Sequence, residues 1–133
     1  MANQFLGELR MFAGNFSPQG WALASGQLLS ISQNTALFAL LGTTYGGNGT
    51  TTFALPNLQS RIPMHMGSAV GLTSRVLGQV GGAEIGAFSS QQIPSSPATP
   101  IQAYVPPTFV SSESPFLALT FIIALQGIFP SRN

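Results

Sequence analysis

The chain has 133 residues, 44% of them apolar and only 5% charged. An ordinary soluble domain carries about 25% charged residues, so this composition excludes a well-solvated free monomer as the expected working form and points to a surface buried against copies of itself or a partner. A net charge of +1 removes any electrostatic case for nucleic acid or an anionic membrane, and the lack of cysteine excludes a disulfide framework or a thiolate metal site.

The charged residues are Glu8, Arg10, Arg61, Arg75, Glu84, Glu113 and Arg132, with no Lys and no Asp. The length fits one domain with a real core. The opening residues Met1 to Phe5 carry no basic region, and Glu8 and Arg10 interrupt any apolar run, so no secretory signal is expected. Work outside the cell then requires another route of release.

Phe5 to Phe12 reads as a first strand. Trp21 to Ala24 and Gln27 to Ile31 flank Ser25-Gly26, a two-residue link of the hairpin type. Thr35 to Leu41 is apolar at helical spacing, with Ser32 as the expected N-cap and Gly42 as the stop, which predicts one short helix over 33–41. Gly46-Gly47-Asn48-Gly49 predicts a loop, because glycine tolerates positive φ. Phe53 to Leu58 is extended and ends in a turn. Arg61 to Met66 is extended again, confined by Pro63 to an edge or irregular strand.

Residues 67–86 are glycine-rich with little period. Residues 91–115 hold Pro94, Pro97, Pro100, Pro106, Pro107 and Pro115, with no charge before Glu113. Such a stretch predicts an extended arm, and its apolar Ile101, Tyr104, Val105, Phe109 and Val110 predict packing onto a neighbouring subunit. Phe116 to Leu125 is too short to cross a bilayer, which takes about 20 residues. It reads as a buried strand within an apolar segment that runs on to Phe129.

Several of these segments together resemble the phage tail collar domain family, in its microcystin-dependent or tail-fibre-like branch. They are Phe5 to Phe16, Gly20-Trp21-Ala22-Leu23, Gly26 to Leu29, Ile31 to Phe38, Leu41 to Gly47, Phe53 to Leu58, Arg61 to His65, and Ile123 to Ser131. The resemblance covers 5–85 and 116–133. It implies a tail-fibre or collar component, usually a homotrimer, of phages or phage-tail-like particles. Ala24-Ser25 stands where the family commonly has Cys-Asp, and Asn57 to Ser60 stands where it often has Asp and Arg-Gly. Ser95-Ser96-Pro97 stands where many members carry a His-X-His motif linked to an axial metal. Charges and metal ligands have both gone, which suits a subunit buried in a homopolymer.

The residues offer little chemistry. A nucleophilic Ser or Thr needs a base, and only His65 could serve, with no Asp to orient it. One His cannot hold a metal alone; three copies on a threefold axis could, so His65 stands as an axial candidate against a reading as a His satisfied by backbone groups. Gly46 to Gly49 lacks the Lys-Ser/Thr ending of a phosphate loop. Trp21 reads as core, with a sugar-stacking platform as the alternative.

The expected fold is α+β and mostly β: a single compact collar-like domain with one short helix and an extended proline-rich arm. The expected division is a body over 1–90, the arm over 91–115 and a C-terminal apolar strand over 116–133 that completes the domain or the interface. The expected function is a structural self-assembling subunit, not an enzyme, without cofactor or metal. It would pair with itself as a homotrimer or homopolymer, and with other fibre proteins or a surface glycan, without nucleic acid or membrane insertion. The expected interface residues are Ile101, Tyr104, Val105, Phe109, Val110, Phe116, Phe121 and Phe129, and the expected location is extracellular, at the cell surface or on a phage-like particle. The alternative is a carbohydrate- or receptor-binding tip.

Overall fold

A computed structural model describes residues 3–87, 109–111 and 113–132 of the chain, and only the backbone of 85–87 and 109–111. The elements in order are β1 (Leu9–Phe12), β2 (Trp21–Leu23), β3 (Leu28–Ser30), α1 (Thr35–Leu41), β4 (Thr52–Ala54), β5 (Ile85–Ala87), β6 (Phe109–Ser111) and β7 (Thr120–Ala124). The fold is mostly β with one short helix. It divides into one unit made of Met1–Gln79 with Ala118–Asn133, and a second made of Val80–Leu117.

In the first unit β7 is the centre of a three-stranded antiparallel sheet ordered β1-β7-β2. The segment Phe121-Ile122-Ile123-Ala124 is rich in β-branched and apolar residues, which suits a strand paired on both sides. Ile123 lies opposite Leu9 on one side and Ala22 on the other. The chain ends are tied beside this sheet: Leu6 N–H donates to the Ile128 carbonyl at 2.9 Å and Ile128 N–H to the Gln4 carbonyl at 3.0 Å. Gly127 (φ 156°) is required there, since a Cβ would run into the Gln4 carbonyl.

Trp21–Leu23 and Leu28–Ser30 are both strands, but they do not form the expected hairpin. β2 joins β7, whereas β3 pairs with β4. Ser25-Gly26 instead carries the chain between two sheets, with Ser25 bridged to Asn57.

Helix α1 is seven residues long, too short to persist by itself in water. Its start is Asn34, not Ser32, and the Asn34 side chain donates to the Ser30 carbonyl at 3.0 Å instead of capping the helix. Gly42 ends it as the sequence predicts, at φ 54°, with its N–H on the Phe38 carbonyl at 2.8 Å. Packing supplies the stability. Leu37 joins Leu6, Phe53, Leu55 and Ile123 in the core, and Ala22, Leu29, Phe38 and Leu41 pack around them. The Phe38 and Phe53 rings lie 5.5 Å apart. Leu37, Phe53 and Leu55 are buried, as their apolar spacing suggests, while Trp21, Leu23, Phe38 and Leu41 are only half-buried.

The glycine-rich loop before β4 does what its composition predicts. Asn48 Oδ1 accepts from the N–H groups of Thr50, Thr51 and Thr52 at 2.9–3.0 Å. Gly47 (φ 93°) lets the chain pass directly over the Phe53 backbone, where a Cβ would clash. In the second unit β5 and β6 form a two-stranded antiparallel ladder. Among the described residues, no helix is long and apolar enough to cross a membrane.

Candidate assembly interface

The β1-β7-β2 sheet has two unlike faces. Alternation along β1 sends Arg10 to one face and Leu9 and Met11 to the other. On the first face Glu8, Arg10 and Trp21 form a row. Arg10 Nε donates to Glu8 Oε1 at 2.6 Å, and its guanidinium sits over the Trp21 ring, 5.3 Å from the centroid. The other carboxylate oxygen of Glu8 accepts from the Phe5 N–H at 2.9 Å. The Arg10 hydrogen bond first, and the Phe5 N–H second, hold the Glu8 carboxyl below its ordinary pKa. Two of the chain's few charges are thus spent on each other, and the ring of Trp21 is capped by a cation.

The second face covers the core at Ile123 and Ala22, then runs past it. Leu9, Met11 and Phe121 continue the apolar surface and, with Leu58, Pro63 and the charged Arg10, line an open groove of ≈ 430 Å³. Met11 is 68% exposed. A sheet face that stays apolar beyond its own core offers a partner the same contacts the core uses.

Leaving this groove, the chain forms a long uncovered segment. Every residue from Gln59 to Glu84 is exposed, including Ile62, Met64, Met66, Val70, Leu72, Val76 and Leu77. Its charged residues are Arg61, Arg75 and Glu84 alone. Arg61 to Met66, expected as an edge or irregular strand, joins no sheet among the described residues. Ile62, Met64 and Met66 alternate with Arg61, Pro63 and His65, a pattern suited to a half-buried strand.

Of the residues expected at an interface, Phe116 and Phe129 are exposed, while Phe121 is half-buried in β7 and lines the groove. Phe109 and Val110 lie in β6, in register with Ala87 and Gly86. Ile101, Tyr104 and Val105, with most of the proline-rich arm, lie outside the described residues. His65 is exposed on the 61–66 segment; among the described residues no group of three His, Cys, Asp or Glu side chains could hold a metal. The residues sequence reasoning missed are Leu9, Met11 and Leu58 in the groove and Val70 and Leu72 beyond it. Nothing in the local pattern marks the groove, and the alternation at 62–66 points to half-burial, not to the exposure the segment has.

A family model described as the Phage Tail Collar Domain matches residues 7–63. That span runs from the turn before β1 to Pro63 on the groove wall. No curated protein matches the chain.

Proposed function

We propose, from the phage tail collar domain that this chain carries over residues 7–63, that the protein is a self-assembling structural subunit of a phage-tail-like particle or an extracellular filament. The collar domain belongs to a structural tail family, and a tail or fibre role follows from it at that level. Assembly into homotrimers or open homopolymers is our reading. The observation that carries it is the exposed stretch from Gln59 to Glu84, whose apolar side chains have no cover among the described residues and too few charges to be comfortable in water. The core is small and closed around Leu37, Phe53, Leu55 and Ile123, so these outer residues are surplus to it.

The arm over 91–115 and the body over 1–90 have separate jobs in this reading. The body folds, and the arm, together with Phe116 and Phe129, lies on neighbours. Other fibre proteins are further partners. A glycan-binding tip is the competing role; the Arg10 guanidinium over Trp21 favours a structural use of that ring over a sugar platform.

Electron microscopy of the purified chain in negative stain tests the proposal. Discrete trimers or continuous filaments are expected. A field of dispersed single subunits at assembly concentrations contradicts it.

A further inference from the structure

The loop before β4 holds the chain's one Asn-Gly pair, Asn48-Gly49. Asparagine is a chemically labile residue. Its side-chain amide can close a five-membered ring onto the next backbone nitrogen, and glycine carries no Cβ to shield that nitrogen. Asn48 is exposed, so water reaches it. Yet both groups are tied down in the fold. Gly49 N–H donates to the Thr52 carbonyl at 3.0 Å. Asn48 Oδ1 takes the N–H groups of Thr50, Thr51 and Thr52, and its Nδ2 donates to Thr51 Oγ1 at 2.9 Å. The loop is in turn anchored to the chain around it. Ile31 N–H donates to the Thr51 carbonyl, and the N–H of buried Ala54 to the Gly46 carbonyl, both at 3.0 Å.

We propose that Asn48 is a modification site gated by this loop: it stays an amide while the loop is closed and becomes aspartate or isoaspartate once the loop opens. The chemistry needs only water. Gly49 N–H gives its proton to solvent base, and the nitrogen attacks Asn48 Cγ. That C–N bond forms, the Cγ–Nδ2 bond breaks, and Nδ2 leaves as ammonia with a proton from solvent. Water then opens the succinimide at either carbonyl. One water is consumed and one ammonia released, with no change of oxidation state. In the closed loop the first step is held back, because the proton that must leave sits on the Thr52 carbonyl. Turning Cγ onto the nitrogen also strains the four hydrogen bonds of the Asn48 side chain. The three N–H groups on Oδ1 would steady an oxyanion there, but that help acts only after the nitrogen is free to attack. The site is selective. Apart from the terminal Asn133, the other asparagines precede Gln4, Phe16, Thr35 and Leu58, whose side chains shield the nitrogen. Opening can be local, limited to the loop and the β3–β4 ladder beside it. Isoaspartate lengthens the backbone by one methylene, so the loop loses its fit where Gly47 passes over the Phe53 backbone. A chain that has opened and reacted is thereby marked irreversibly.

The test follows Asn48 in the full chain by peptide mapping, reading the amide-to-acid mass gain and the isoaspartate content at mildly alkaline pH. Native chain and urea-unfolded chain are incubated in the same buffer. Conversion in the native chain is expected to be at least about tenfold slower, the factor given by an opening free energy of about 1.4 kcal/mol. Thr51→Val removes only the hydroxyl that holds Nδ2. It is expected to speed conversion severalfold in the folded chain and to leave the rate in urea unchanged. Gly47→Ala forces the loop off the Phe53 backbone and is expected to bring the native rate close to the unfolded one; should it misfold, Thr51→Val still decides. Equal rates in native and unfolded wild type overturn the proposal. A faster native rate overturns it as well and would make the three N–H groups a catalyst of the reaction. A folded Thr51→Val variant with the wild-type native rate also contradicts it, because the protection would then not come from the loop's own hydrogen bonds.

Discussion

Leu9 and Ile123 are direct partners in the β1–β7 register, yet Ile123 is wholly enclosed and Leu9 is 42% exposed. The core ends between them. Inward of that line, Leu6, Leu37, Phe53, Leu55 and Ile123 close on one another. Outward of it, the same sheet face continues through Met11, which is 68% exposed, and the half-buried Phe121. Much of the account of assembly follows from this boundary.

The inner side predicts a large packing cost. Leu37 is the one buried residue of α1, with Phe38, Leu40 and Leu41 only partly buried against the same core. Leu37→Ala is expected to lose about 2–5 kcal/mol of unfolding free energy, read from denaturant midpoints. A loss under about 1 kcal/mol would mean that the helix is held by something other than this face.

The Glu8 carboxyl predicts a pH dependence. Its pKa is depressed in the folded chain by the Arg10 and Phe5 hydrogen bonds. A depressed pKa contributes stability that is present above the ordinary value of 4.5 and is lost as pH falls through the lower folded value. Glu8→Gln should therefore be less stable than wild type at pH 7 and approach it as the pH falls below 4.5 through the lower folded value. Because the pair is exposed, the difference is small, and a gap that widens on acidification would contradict the assignment.

Asn48 predicts a contrast between two substitutions. Asn48→Asp keeps the oxygen that accepts from Thr50, Thr51 and Thr52, whereas Asn48→Ala removes it. The alanine variant is expected to lose about 1 kcal/mol and the aspartate variant distinctly less. Equal losses would place the stabilisation in the glycines and not in the side-chain oxygen.

These residues also show how far the sequence could be read. The helix stop at Gly42, the glycine loop at 46–49 and the burial of Leu37, Phe53 and Leu55 follow from local pattern, because φ preference and apolar spacing act over a few residues. The sheet order does not. Trp21–Leu23 and Leu28–Ser30 look like a hairpin over Ser25-Gly26, but β7, about a hundred residues along the chain, takes the edge of β2. Pairing of that kind is decided by the closing of the core around Ile123, which no short window contains. The groove was hidden for the same reason: Met11 and Phe121 meet only through the β1–β7 register. Exposure of residues 67–75 was equally invisible, since glycine-rich sequence reads alike whether covered or bare.

His65 predicts the response to metal removal. It is exposed on the 61–66 segment, and a single imidazole per chain could ligate only by meeting copies of itself on an axis. Chelation by EDTA is expected to leave the assembled mass unchanged. Dissociation by EDTA, reversed by a transition metal, would make His65 an axial ligand.

The most direct measurement is sedimentation equilibrium of the intact chain at micromolar concentration and moderate salt. The account predicts trimers or larger species, with mass insensitive to salt because the contacts are apolar. A single species at the monomer mass of 13.9 kDa across the whole concentration range would contradict it.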